Sequence, residues 1–205
     1  MKIIFYGLEV TLLPSGGLFL EKENILVVSD THFGKVLALS DQGIPIPQNS
    51  DEQTIKKLDL DLKYTNAQTC LFLGDIIHEK SNALSVFLTQ LDLHLKHINI
   101  ILTLGNHDRD VLFPSRWHCC ETYSISDVSL SHEPIKNVPC IAGHIHAGII
   151  IKKGRFKQRK KAFLVQDQCL LCPGYGEHTG VISKKIAYQN AYILEKGIVK
   201  HYLPS

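Results

Sequence analysis

A chain of 205 residues with 44% apolar and 20% charged residues suits one domain over 1–205, and is too rich in core-forming residues for a disordered, collagen-like or fibrous protein. Its 22 basic and 20 acidic residues leave a formal charge of +2, which excludes nucleic-acid binding driven by bulk charge. Histidine is over-supplied: there are 11, against one Met and one Trp, and histidine is the commonest metal ligand and a ready proton carrier near neutral pH.

The N-terminal run from Met1 to Glu9 is too short for a signal peptide, and no stretch approaches the ~18 apolar residues of a membrane span. The expectation is a cytoplasmic protein without membrane contact. Ile3 to Phe5, Glu9 to Leu13, Leu18 to Glu21 and Ile25 to Ser29 read as short strands of a meander, punctuated by Pro14-Ser15-Gly16-Gly17. A helix is expected from Phe33 to Gly43, then a loop through Ile44-Pro45-Ile46-Pro47. Ser50-x-x-Gln53 reads as a capping box ahead of Ile55, Leu58 and Leu62 at helical spacing. Cys70 to Leu73 is a buried strand, Asn82 onward a helix with Leu84, Leu88, Leu91 and Leu95 on one face, and Ile98 to Leu104 another buried strand. This alternation predicts parallel pairing with right-handed crossovers. After about residue 118 the pattern changes to short strands: Ser126 to Ser131, Cys140 to Ala142, Ala162 to Gln166, Cys169 to Cys172 and Ala187 to Leu194. The result is a layered α/β structure, helical on its outer faces. Cys169-x-x-Cys172 has zinc-ligand spacing but no second pair, so the six cysteines read as buried thiols.

Each of the first three buried strands ends in a polar cluster: Asp30-Thr31-His32, Gly74-Asp75 and Gly105-Asn106-His107-Asp108. Ser131-His132-Glu133 and Gly143-His144-Ile145-His146 follow. Parallel strands deliver their C-terminal ends to one edge, so these clusters are expected to converge. On an extended segment residues i and i+2 point the same way, which suits D-x-H and H-x-H. Glycine ahead of Asp75, Asn106 and His144 lets the backbone turn sharply beside a ligand. Carboxylate, amide and imidazole donors suit Mn²⁺, Fe, Zn²⁺ or Co²⁺, with Mn²⁺ taken first. Seven such ligands exceed one site; two ions about 3.5–4 Å apart with a shared carboxylate would use them all.

These five ordered motifs resemble those of the calcineurin-like metallophosphoesterase superfamily. Ser29 to Lys35, Gly74 to His78, Asn106 to Arg109 and Pro173 to Gly180 further resemble one bacterial subfamily, the ligase-associated DNA damage response endonucleases (PdeM). Ala147 departs from it, standing where related sequences often have Pro. The resemblance implies a four-layer α/β/β/α sandwich with two mixed sheets. It assigns Asp30, His32, Asp75 and His146 to one metal, and Asp75, Asn106, His132 and His144 to the other. A water between the two cations would then attack phosphorus in line with the leaving oxygen. His107 has no ligand slot left and is placed to protonate the leaving oxygen, with Asp108 orienting it. His78 and Asn106 are candidates for touching substrate. His178 reads as structural; His94, His97, His118 and His201 read as surface or packing residues.

The small net charge hides an asymmetry. Seven of the ten residues from Lys152 to Lys161 are basic, and the other 195 residues carry 15 basic and 20 acidic groups, a net of −5. Arg155, Lys157 and Arg159 alternate, so on a strand they share one face. That face is either a track for a phosphate backbone or a hairpin edge blunted against pairing. The expected activity is phosphodiester hydrolysis, on DNA in repair by the subfamily resemblance, with repair ligases and helicases as neighbours. The alternatives are a small-molecule phosphatase or nucleotide or lipid pyrophosphohydrolase, and a non-catalytic scaffold of the same fold.

Overall fold

The computed structural model describes residues 1–35, 49–78, 84–153, 155–182 and 186–203. Most of the helix expected after Phe33, the Ile44–Pro47 loop and Asn82 lie outside them. The first sheet has the order β1 (Lys2–Phe5), β2 (Leu8–Leu12), β3 (Leu18–Leu20), β4 (Ile25–Val28), β5 (Thr69–Leu73), β6 (Asn99–Thr103), β7 (His118–Cys120). β1 to β4 form an antiparallel meander. β4 to β7 run parallel, as the strand–helix alternation predicts.

The parallel strands are apolar on both sides because both sides are covered. Along β5, Leu71 and Leu73 face the second sheet, whereas Cys70 and Phe72 face the helices. Against the latter face pack α1 (Ser50–Thr65), through Leu58, and α2 (Leu84–His94), through Leu88 and Leu91. The expected capping box does not form. Asn49 is the N-cap residue of α1, without a side-chain cap bond, and Ser50 is already a buried helical residue. Its carbonyl accepts from Thr54 Oγ1 at 3.0 Å.

The second sheet comprises β8 (Thr122–Ile125), β9 (Val128–Ser131), β10 (Cys140–Ala142), β11 (Gly148–Lys153), β12 (Phe156–Gln166), β13 (Cys169–Leu171), β14 (Asn190–Glu195) and β15 (Ile198–Tyr202). Its order is β15-β14-β12-β13-β10-β9-β8, with β11 paired to β12. β9, β10 and β13 are mutually parallel at its centre. Val128, Leu130, Ile141, Phe163 and Leu170 meet the first sheet in a dry core. On the opposite face no helix lies among the described residues; Ile135, Ile145, Ile151 and Ile186 close it instead. The two packed mixed sheets, with helices on the outer face of the first, make the α/β sandwich of two mixed sheets that the resemblance implies; a helical layer on the second is not seen among the described residues.

β12 has two halves. Ala162 to Val165 pair with β14, but Phe156 to Lys161 pair only with β11, so residues 148–153 and 156–161 form a projecting two-stranded ribbon. Cys70, Cys140, Cys169 and Cys172 are buried free thiols as expected. Cys119 is exposed, because β7 is the edge of its sheet. Among the described residues no helix is long and apolar enough to cross a membrane.

Leu58 is fully buried beneath α1, whereas Leu60 on the same helix is 67% exposed. Leu58→Ala should cost about 2–5 kcal/mol in chemical denaturation, and Leu60→Ala no more than about 0.5 kcal/mol.

Candidate metal centre

β4, β5 and β6 stop just before Asp30, Gly74-Asp75 and Asn106-His107, and β9 and β10 just before His132 and His144. The five clusters therefore meet where the C-terminal ends of both parallel groups face each other. Beyond β4 and β5 the chain segments stay bonded: the N–H of Asp30 donates to Gly74 O at 3.2 Å, that of His32 to Asp75 O at 3.0 Å, and that of Phe33 to Ile76 O at 2.9 Å. The D-x-H segment lies along the G-D segment, which brings Asp30 and His32 beside Asp75.

These segments are not extended, contrary to the sequence expectation. Asp30, His32, Asp75, His144 and His146 have φ of 51°, 46°, 48°, 66° and 49°. This is left-handed backbone, which Asp and His enter more readily than most residues but at a cost. Tight bends, not a pleat, aim the i and i+2 side chains at one site. The glycines also act differently from expectation. Only Gly74 has a left-handed φ, of 69°, and a Cβ there would fall 2.6 Å from His132 Cβ. Gly143 has no such φ; a Cβ would sit 2.7 Å from Asp30 Oδ2, so close approach is what requires glycine.

Two trios that include a carboxylate result, Asp30–His32–His146 and Asp75–His132–His144, and a third, His32–His78–His107, shares His32; each has its ligand atoms within 4.8 Å of one another. In the first, His32 Nε2 faces His146 Nε2 at 3.1 Å. In the second, His144 Nδ1 faces His132 Nε2 at 3.0 Å. Asp75 Oδ2 looks toward both, 3.9 Å from His32 Nε2 and 3.4 Å from His132 Nε2. The His144 N–H donates to both Asp30 oxygens, at 3.0 and 3.1 Å.

Imidazole nitrogens facing each other beside buried carboxylates collect lone pairs and negative charge at one point. Two divalent cations fit that donor set. Burial, partly opposed by Asp30, pushes the His32 imidazolium down to about 3, so the ring is neutral as a metal ligand must be. His132 Nδ1 lies 3.0 Å from Leu73 O; a carbonyl only accepts, so Nδ1 carries the proton and Nε2 presents its lone pair to the site.

The remaining candidates divide. Asn106 is exposed and lines, with His132, a concavity of about 440 Å³. The exposed His107 donates its backbone N–H to Asp75 Oδ1 at 3.0 Å, and its ring lies 5.3 Å from that of His32. The His78 ring stacks on His107 at 5.4 Å and meets His32 edge-on at 5.5 Å, so it joins the site. Asp108 does not bond to the His107 ring. Its buried carboxylate accepts from the N–H of Gly105 at 2.9 Å and of Ile76 at 3.1 Å, bracing two ligand loops. Arg155, Lys157 and Arg159 are exposed on the ribbon and bond to no site residue. Sequence reasoning missed Lys161, counted there with the solvated cations. Its Nζ donates to Gly174 O at 2.6 Å, Gly176 O at 3.0 Å and Thr179 Oγ1 at 2.9 Å. Burial pushes its ammonium down to about 8. Its place directly before the apolar Ala162-Phe163-Leu164 was the available signal.

Gly74→Ala should push on the His132 ring and weaken Mn²⁺ binding at least about tenfold, the scale of second-shell damage. Gly7→Ala, with a similar φ but open space around it, should leave binding at the parent value. Calorimetric Mn²⁺ titration of both variants checks this.

A profile of the family described as calcineurin-like phosphoesterase matches residues 23–177. No curated protein matches the chain. Among solved structures, nuclease MPE of Pseudomonas putida is similar with a TM-score of 0.82 and 24% identity over 98% of this chain and 99% of that one. Yfce, a phosphoesterase from E. coli, has a TM-score of 0.42 and 15% identity, over 83% of this chain and 87% of its own. With the matched profile spanning the strands and loops that build both trios, the chain belongs to the calcineurin-like phosphoesterase family and is a metal-dependent phosphoesterase.

Proposed function

We propose that the chain is a dinuclear phosphodiesterase. Asp30, His32, Asp75 and His146 hold one divalent cation; Asp75, Asn106, His132 and His144 hold the second. The observation that carries this reading is the Asp75 carboxylate, which faces an imidazole of each trio. Two cations bound there supply Lewis acidity and lower the pKa of a water to near neutrality. The protein supplies the rest. His107, exposed and anchored through its N–H to Asp75, gives a proton to the leaving oxygen or stabilises its charge. His78, stacked on that ring, limits its rotation and offers a further polar contact to substrate.

The substrate we assign is a nucleic-acid strand, with DNA repair as the setting. Support comes from the motifs shared with the repair endonucleases, from the fold shared with a nuclease, and from the ribbon. In the β11–β12 register Ile150 pairs Arg159 and Gly148 pairs Lys161. Lys157, Arg159 and Lys161 therefore share one ribbon face, at about 6.8 Å intervals. Lys161 on that face reaches the loop beside Asp30, so the exposed Lys157 and Arg159 extend outward from the centre along the same face.

His107→Ala should keep two Mn²⁺ but lower diester turnover by about 10²–10⁴, while Asp75→Ala should lose both metal and turnover. Mn²⁺ titration beside hydrolysis of bis(p-nitrophenyl) phosphate separates the two; full turnover in both variants overturns the mechanism. On an oligonucleotide, Lys157→Ala/Arg159→Ala should flatten the slope of log K against log [salt] by about 0.7–0.9 per lost phosphate contact. Hydrolysis of nucleotides or lipid pyrophosphates in preference to oligonucleotides would overturn the nucleic-acid assignment while leaving the metal chemistry intact.

A further inference from the structure

The 173–180 loop is fastened at three places. On its inner side the Tyr175 N–H donates to Ser29 O at 2.8 Å, the Gly176 N–H to Asp30 O at 3.2 Å, and Ser29 Oγ to Pro173 O at 3.1 Å. Its flanks hold the chain around His146: the Ala147 N–H donates to Cys172 O and the Ile182 N–H to His146 O, both at 3.1 Å. Its outer side rests on α1, where the Tyr175 hydroxyl donates to Asp61 Oδ2 at 2.8 Å and the Glu177 N–H to Thr54 Oγ1 at 3.2 Å. Between these, the Lys161 ammonium spends all three donors on Gly174 O, Gly176 O and Thr179 Oγ1. It makes no ion pair among the described residues. A lysine that gives every proton to neutral oxygens of one loop acts as a brace, and its charge is favoured at longer range by Glu177 and by Asp30.

The loop bonds the backbone of Asp30, and its flanking residues Cys172 and Ile182 bond the backbones of Ala147 and His146; Asp30 and His146 belong to one trio. Among the described residues, no hydrogen bond joins the loop to Asp75, Asn106, His132 or His144.

We propose that Lys161 is a positioning residue chiefly for one of the two cation positions: by pinning the 173–180 loop it fixes the Asp30 backbone and the flanks that hold His146, and it reaches the Asp75–His132–His144 position only at second hand, through the His144 N–H on the Asp30 carboxylate. The proposal rests on the dinuclear reading above. It makes the root of the ribbon part of the metal site, so the same strand that carries Lys157 and Arg159 outward also sets how firmly one cation is held.

The test is Mn²⁺ titration of the full chain by calorimetry, with low-temperature EPR reporting exchange coupling between two Mn²⁺ ions. The parent should bind two. Lys161→Met should weaken one of them by roughly 10–100-fold, the effect expected of an outer-shell partner, weaken the other clearly less, and lose the coupled signal at limiting metal. Lys161→Arg, which keeps a cation and donors, should fall between. If Lys161→Met does not fold, Thr179→Val removes one of the three acceptors and should weaken the same single position to a smaller extent. Parent affinities at both positions, or an equal loss at both, overturns the role of Lys161 alone. A parent chain that binds fewer than two Mn²⁺ overturns the dinuclear reading and this proposal together.

Discussion

The donation of the His144 N–H to the Asp30 carboxylate ties one sheet to the other at the point where the donor atoms gather. Everything else in the site depends on that contact being short. Asp30 stands at the end of β4 and His144 at the end of β10, in sheets whose shared core is apolar and whose other polar ties, such as His132 Nδ1 on Leu73 O, cluster at the same end. A dry core can hold two sheets together, but it is non-directional and tolerates sliding. A carboxylate receiving a backbone N–H across the interface fixes their relative placement. The glycines at 74 and 143 are the steric counterpart, since a methyl group at either would force the sheets apart at the donors.

The second constraint is local and unfavourable. Five of the candidate ligand residues adopt left-handed backbone, each at a cost of about 1–3 kcal/mol. Such conformations persist only where the surroundings over-determine them. Here they do: Asp30 and His32 are bonded along Gly74 and Asp75, and the 173–180 loop closes over Ser29 and Asp30. Asp108 holds the Gly105 and Ile76 backbones from beneath. The pre-organisation of the donors is thus held by residues that offer no ligand atom. A cation entering such a site meets donors already aimed, so little ordering remains to oppose binding.

Much of the fold was legible because its signals are local. Cys70 to Leu73 is apolar at every position, which reads as a strand covered on both faces. Leu84, Leu88, Leu91 and Leu95 recur at helical spacing, and the last three are buried where that stripe meets the sheet. The motifs after β4, β5, β6, β9 and β10 could be placed together because parallel strands end at one edge. Other features left no local trace. The capping box at Ser50 failed because buried packing, not a side-chain cap, sets the start of α1. Asp108 is expected to partner its neighbour His107, yet its oxygens turn to the N–H of Gly105 in its own loop and of Ile76, brought in from beyond β5. Cys119, expected to be buried with the other thiols, emerges at an edge, and edge position depends on the whole sheet order.

The sequence by itself determined the strand periodicity, the order of the motifs and the donor chemistry, because these are written in residue type and spacing. Only the tertiary structure decided how the donors are held. Left-handed φ at Asp30 or His146, the close approach at Gly143, and the enclosure of Lys161 under the 173–180 loop arise from contacts between segments more than ten residues apart. No window of sequence contains both partners of such a contact. The same holds for the basic run: its composition gave a charge, while the strand pairing placed Lys157 and Arg159 on the projecting ribbon and Lys161, on the same face, at its root against the 173–180 loop.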